Sequence, residues 1–310
     1  MTGHGLPGEE PGAPTFLCSV VVPAHDEEAV IADRLGGLVA SLPPGAVELV
    51  VVANGCTDAT AEVARRIPGS RVVELAEASK TAALNAGDRA ATAFPRIYLD
   101  ADILISGAAL TRLAAALTVP RPVVAAPRVS FDSSGSSWAV RRFFAVFERL
   151  PYAGRGLVGL GVYGFSEQAR RRFGDFPDVV ADDLYVQRMF SDDERISVGD
   201  SFVVVAPKDL RRLVAVRTRV ARGNRQLAER AAEFGLGNPS TAAGTARQLA
   251  GLVIRRPLLL PSALIYLGVT VAARRRARRT PAGAAWERDD SSRTAVPAPP
   301  AAPATTGGRP

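Results

Sequence analysis

The sequence predicts an α/β chain built on an open, mostly parallel, twisted sheet with helices on both faces. Two observations carry this. Between residues 17 and 102, short runs rich in β-branched residues alternate with segments of helical spacing, the pattern of repeated β-α units. Those runs are almost continuously apolar, as strands covered on both faces are.

Taken in order, "FLCSVVVPA" is a first strand, and "EEAVIADRLGGLVASL" follows with helical spacing at Val30, Leu35, Leu38 and Val39. "VELVVVANG" and "TDATAEVARRI" make a second unit, with Thr57 or Asp58 available as helix cap. "SRVVEL" and "SKTAALNAGDRAATAF" make a third, and "RIYLDAD" is the fourth strand. Further on, "PVVAAPRVSF" and "SFVVVA" read as strands, while "SSWAVRRFFAVFERL", a segment from about Asp182 and the arginine-rich stretch from Lys208 read as helices. The glycine-rich stretch Gly154 to Gly164 reads as a turn or a place of close backbone approach. The expected organisation is a disordered 1–15, a first half 16–128, a second half 129–235, basic and apolar helices over 236–279, and a disordered tail 280–310.

Composition narrows the partners. With 310 residues, 47% of them hydrophobic, the chain can bury a substantial core. Cys18 and Cys56 cannot form a disulfide framework and stand in no metal-ligand spacing. The N-terminus lacks a basic start followed by an apolar stretch, so the chain is expected on the cytoplasmic side of a bacterial-type cell. Seven arginines between residues 255 and 279 account for the whole net charge of +7. The basicity is therefore local, and no nucleic-acid partner is expected. Between those arginines lie seventeen uncharged residues, 257–273, interrupted by Pro261. As a helix they would reach about 25 Å against a hydrocarbon core of about 30 Å. That is short for a span and suits peripheral or shallow attachment to an anionic membrane surface; a buried helix is the alternative.

In an open parallel sheet the ligand crevice lies beyond the carboxyl ends of the strands. The loops at Pro23–Glu27, at Asn54–Asp58, before Lys80, and at Asp100–Asp102 should meet there. Asp100 and Asp102, two residues apart at a strand end, can face one side and present hard oxygen ligands for Mg²⁺ or Mn²⁺ on a diphosphate. A bare D-x-D also fits a turn in which one acid merely caps the backbone. Only two of the 38 basic residues are lysines, Lys80 and Lys208. Lys80 suits a crowded phosphate or sugar, where a compact charge is needed. Asp182 and Asp183 open a helix, so one can favour the helix dipole while the other faces the cleft.

Four motifs then carry a resemblance. "VVVPAHDEE", "VVVANGCTDAT", "SKTAALNAG" and "YLDADILIS" resemble, in order and position, the first-strand, second-strand, lysine and D-x-D motifs of family 2 glycosyltransferases, across residues 17 to 120. The resemblance implies a GT-A-like fold and transfer of a sugar, with inversion, from a nucleotide-diphosphate donor. Pro23, Ala24, His25 and Glu27 would lie along the nucleotide, with Asn54 near the base and Lys80 near the donor. Asp100 and Asp102 would contact the sugar and the metal. Asp183, in "VVADDLYVQRMF", would be the base that deprotonates the acceptor. A uridine donor is the family expectation, but Ala53 stands where an aspartate often reads uracil, which leaves the choice of base open.

The "QxxRW" motif of membrane-linked relatives is absent. Arg219 and Arg222, with Asp182, are candidates for phosphate or acceptor contacts, or else part of a solvated basic face. The acceptor expected from the basic apolar C-terminus is a saccharide or lipid-linked glycan of cell-surface polysaccharide or glycolipid synthesis. Two other readings stand beside the enzyme: a non-catalytic nucleotide-sugar-binding or membrane scaffold, and a D-x-D phosphohydrolase. The phosphohydrolase would carry its motif on the first strand, not the fourth.

Overall fold

Strand β1 (Cys18–Ala24) is buried along its whole length and lies between β2 (Val47–Asn54) and β4 (Arg96–Leu99), parallel to both. The computed structural model describes residues 16–150, 161–236 and 242–279; the two expected disordered ends and most of the glycine-rich stretch lie outside the described residues. Val20 and Val22 enter one apolar layer with Leu35 and Leu38 of α1 (Ile31–Ala40) and Leu110 and Leu113 of α4 (Gly107–Leu117). Val21 points the other way, into a second layer with Ala83 and Leu84 of α3 (Lys80–Ala90). This alternation is the period of two expected of a strand covered on both faces.

The sheet has seven strands in the order β3-β2-β1-β4-β6-β5-β7, where β3 is Ser70–Leu75, β5 Val124–Asp132, β6 Val162–Phe165 and β7 Arg195–Val205. The helix α2 (Thr60–Arg65) links β2 to β3. The chain leaves β1 in one direction for β2 and β3 and later returns on its other side as β4, which makes the β1/β4 boundary a switch point. β4 pairs only with Ser19–Val21, whereas β2 follows β1 to Ala24. Pro23, which has no N–H to donate, falls where pairing on the β4 side has ended.

The end of the glycine-rich stretch, "VYGF", is strand β6, antiparallel between β4 and β5. The boundary expected after residue 128 falls inside β5, and both halves contribute to one sheet. The second half adds α5 (Trp138–Phe147), the short α6 (Glu167–Arg170), α7 (Asp182–Met189), α8 (Leu210–Glu229) and α9 (Ala242–Arg255).

Pro261 does not interrupt the C-terminal apolar segment. It sits in the first turn of α10 (Leu260–Arg279), where a missing N–H is harmless, and the helix runs on through the arginines. Ser262, Ala263, Tyr266, Val269 and Ala273 form the buried face of α10, packed on α5 and α8, with the Tyr266 ring stacked 5.2 Å from Phe143. The opposite stripe, Leu260, Leu264, Leu267 and Val271, is exposed, as are Ile254 and Leu258 before it. By length and composition, Pro257–Arg279 is one helical stretch apolar enough to cross a membrane.

Candidate active site

The loops after β1 and β2 are tied together backbone to side chain. Asp26, at φ 49°, accepts from the Thr57 N–H at 2.5 Å; the Glu27 N–H donates to Thr60 Oγ1 at 2.6 Å, and the Glu28 N–H to Asp58 at 3.2 Å. An aspartate tolerates this left-handed conformation better than most residues, and the bond to Thr57 holds it. Of the residues expected along the nucleotide, Pro23 and Ala24 are buried in β1, while His25 and Glu27 are half-buried in the loop that follows.

Asn54, expected to approach the base, is 1% exposed, and its amide is committed to the scaffold. Its Nδ2 donates to the Ala24 carbonyl at 2.7 Å, its Oδ1 accepts from the Ser79 N–H at 3.0 Å, and its own carbonyl accepts from His25 Nδ1 at 2.7 Å. A buried amide must satisfy both its donor and its acceptor, and here neighbouring loops do so. The residue thus joins the ends of β1 and β2 to the cap of α3. Ser79 accepts from the Ala82 N–H at 3.2 Å and starts that helix.

Lys80 is the first residue of α3, a position where the helix dipole disfavours a cation. Its carboxylate partners explain the placement. Nζ lies 3.0 Å from Asp100 Oδ1 and 3.4 Å from Asp182 Oδ1, with 27% of the side chain exposed. Burial alone would lower its pKa, but Asp100, Asp182 and Asp183 together hold it well above the usual lysine range. Three carboxylates act on one ammonium, so the cluster keeps an excess of negative charge that suits a further cation.

Asp100 begins the turn after β4. Its N–H donates to the Gly161 carbonyl at 2.7 Å, and its own carbonyl accepts from the Ile103 N–H at 3.1 Å, closing a turn around Ala101 and Asp102. Gly161, at φ 98°, has no room for a side chain: a Cβ there would come within 2.6 Å of Ile103. Asp102 is half-buried in the same turn. The two acids offer hard oxygen donors at one turn, the donor chemistry of a Mg²⁺ or Mn²⁺ site. His25, Asp26 and Cys56 also bring a nitrogen, an oxygen and a sulfur within 4.8 Å of one another. In this second group Asp26 is tied to Thr57, His25 to Asn54, and Cys56 receives the Asp26 N–H at 3.5 Å, so it serves as the knot between the two loops.

Asp182 points inward from α7 and is 4% exposed, with the Tyr163 hydroxyl donating to it at 3.3 Å. Burial raises its pKa, with Lys80 opposing and Asp100 reinforcing the shift. Asp183 is more open, accepts from the Leu184 N–H at 2.7 Å, and is pushed up to about 6 by burial and by the neighbouring Asp182. A carboxyl tuned close to neutrality can hold and release a proton there. Tyr163 was not singled out from the sequence, yet it pairs across β4 with Tyr98 and stacks on it at 5.4 Å, forming the floor under Asp182.

Helix α8 is fastened along residues 178 to 181. Arg230 donates to the Asp178 carbonyl at 2.8 Å, Gln226 Oε1 accepts from the Val180 N–H at 3.0 Å, and Gly223 lies where a Cβ would be 3.1 Å from Ala181. Arg219 and Arg222 occupy the next turn of that stripe and are both half-buried. Arg217 turns elsewhere, its guanidinium 5.2 Å from the Phe147 ring.

No protein of curated function matches the chain. Among solved structures, it resembles the mannosyltransferase PcManGT from Pyrobaculum calidifontis in complex with GDP-Man and Mn²⁺, at 24% identity and a TM-score of 0.54, over 86% of this chain and 79% of that one. Glucosyl-3-phosphoglycerate synthase from Mycobacterium tuberculosis, with Mn²⁺, UDP and glucosyl-3-phosphoglycerate, is similar at 20% identity and a TM-score of 0.51, over 72% of this chain and 81% of that one. These likenesses establish the GT-A fold. The sequence profile of glycosyl transferase family 2 matches residues 19–182, from β1 to the first acid of α7, and the chain belongs to that family of glycosyltransferases.

Proposed function

We propose that this glycosyltransferase moves a sugar from a nucleoside diphosphate to an acceptor hydroxyl in a metal-dependent, inverting reaction. The observation that carries the reading is the Lys80 ammonium, 3.0 Å from Asp100 and 3.4 Å from Asp182. It ties the acid turn after β4 to Asp182 at the start of α7.

Asp100 and Asp102 would hold Mg²⁺ or Mn²⁺, in keeping with the Mn²⁺ of both solved relatives. Such an ion supplies neutralisation of the diphosphate charge that builds up on the leaving group. The remaining work belongs to side chains. Lys80 places a positive charge at the donor, Asp182 and Tyr163 hold that lysine in position, and Asp183 takes the proton from the acceptor hydroxyl. Arg219 and Arg222 supply further positive charge to a phosphate of donor or acceptor. Direct attack by the acceptor on the anomeric carbon needs no enzyme nucleophile and inverts the anomer.

The acceptor we favour is a lipid-linked saccharide of surface polysaccharide or glycolipid synthesis, met at the cytoplasmic face of the membrane. The exposed stripe of α10 between two groups of arginines supports interfacial attachment. Crossing the bilayer would require α10 to leave α5 and α8, whereas lying on it would not. The test is release of nucleoside diphosphate from a panel of nucleotide sugars with Mn²⁺ or EDTA. We expect metal-dependent release that Asp183→Asn abolishes; neither release nor metal-dependent binding with any donor would overturn the reading.

A further inference from the structure

The loops after β1 and β2 bring a nitrogen, an oxygen and a sulfur to one point. Gly55, at φ 58°, turns the chain sharply after Asn54, and a Cβ there would lie 2.5 Å from the Ala78 backbone nitrogen. The turn carries Cys56 back over the end of β1, where its Sγ lies 3.6 Å from the Ala24 carbonyl oxygen. A ring nitrogen of His25, a carboxylate oxygen of Asp26 and the Cys56 sulfur fall within 4.8 Å of one another. All three residues are half-buried, so an ion can reach them from solvent.

The partners of His25 and Asp26 orient both side chains. The Asn54 carbonyl can only accept, so its 2.7 Å contact fixes a proton on His25 Nδ1. In the neutral ring the lone pair is then on Nε2, and a backbone carbonyl holding the other ring N–H is the arrangement that orients a metal-bound histidine. Asp26 is oriented in turn by the Thr57 N–H on its Oδ1. Nε2 stands 4.0 Å from Asp26 Oδ2, too far for a direct hydrogen bond. That gap is within about 1 Å of the spacing of two ligands on one tetrahedral ion, about 3.3 Å for bonds of about 2.0–2.1 Å.

The ligand set separates this group from the all-oxygen turn after β4. Mg²⁺ and Mn²⁺ favour oxygen, whereas thiolate and imidazole favour zinc. We infer that His25, Asp26 and Cys56 form a second metal site that takes Zn²⁺, with Nε2, Oδ2 and Sγ as three ligands and water as the fourth. The Cys56 thiol proton passes to solvent as the thiolate binds. Zinc there staples the loop after β1 to the loop after β2. The inference does not rest on the donor-binding reading, and its test needs no donor.

The test is titration of the full chain with Zn²⁺ against a chromophoric chelator, and with Co²⁺ as a spectroscopic stand-in. One equivalent of Zn²⁺ should bind in the presence of excess Mn²⁺ and raise the melting temperature. The Co²⁺ form should show thiolate-to-metal charge-transfer absorption. Cys56→Ser, which keeps the side-chain size, should abolish that absorption and weaken Zn²⁺ binding at least about a hundredfold, the upper end of what losing even an outer-shell partner costs. His25→Gln should weaken Zn²⁺ binding similarly. Cys18→Ala and Asp102→Asn should keep both the absorption and the zinc. A Co²⁺ form of the wild-type chain without thiolate absorption would overturn the site, whatever the folding of any variant. Zinc binding that survives Cys56→Ser, or that Asp102→Asn removes, would overturn it as well.

Discussion

Lys80 Nζ stands 3.4 Å from Asp182 Oδ1, joining the first residue of α3 to the first residue of α7. The contact links elements from the first and second halves of the chain through one charge. Lys80→Met leaves Asp182 buried without its ammonium, at a cost of roughly 3 kcal/mol when the acid is ionised. Urea denaturation at pH 7.5 should show that loss and show less of it at pH 5, since burial favours the neutral form of Asp182 and lowering the pH moves the acid toward it. Equal losses at both values would mean that the pair contributes nothing electrostatic.

Metal dependence separates Asp102 from the scaffold. A thermal shift induced by a nucleoside diphosphate should grow with Mn²⁺ and shrink with EDTA. Asp102→Asn should remove the Mn²⁺-dependent part and keep the melting temperature of the unliganded chain. An unchanged Mn²⁺ response would take the metal away from the turn after β4.

Asp183 gives transfer a defined acid limb. Its carboxyl titrates at about 6, and the deprotonated form is the one that accepts a proton, so the rate should rise as pH increases through about 6 and then level off. Asp183→Asn should abolish transfer while donor binding persists. Because the folded pKa exceeds the ordinary aspartate value, the folded chain binds more protons between about 3.9 and 6 and loses stability as pH rises through that window. The same variant should therefore melt higher than the wild type at pH 7.5. A lower melting temperature, or a rate without the acid limb, would contradict the tuning.

Asn54→Ala tests scaffold against recognition. The change strips partners from the Ala24 carbonyl and the Ser79 N–H, costing about 2–4 kcal/mol for two bonds. All nucleotides should weaken together, since the loops that form the site loosen. Selective loss of one base would return Asn54 to the role of reader.

Attachment through α10 predicts a surface effect. Leu264 is 61% and Leu267 43% exposed, so Leu264→Asp with Leu267→Asp should leave the melting temperature unchanged. Co-sedimentation with vesicles containing anionic lipid should fall at least about tenfold, the loss of two buried apolar side chains. Vesicle binding that ignores both changes would remove the helix from the interface.

Much of this was legible in the sequence. The three β-α units and the fourth strand, the placement of their loops at one edge and the opening of α7 at Asp182 follow from apolar periodicity and end signals, which are local. What depended on pairing partners was not. "VYGF" is four residues long and too short for its period to show, so its insertion between β4 and β5 is set by tertiary contacts. The resemblance puts Asn54 near the base, and only its burial reveals that Ala24 and Ser79 hold its amide. Pro261 looked like an interruption because its place in the first turn depends on where α10 begins.

Strand β6 enters between two strands that both precede it in the chain, and its leading glycine receives the Asp100 N–H. The closure is long-range, so it carries a loop-entropy cost and belongs late in the order of folding. A nascent chain halted after β5 would contain the first four strand-end loops and yet lack the Gly161 carbonyl that shapes the acidic turn. The acidic turn therefore takes its full set of backbone hydrogen bonds only once the chain has been made as far as Gly161.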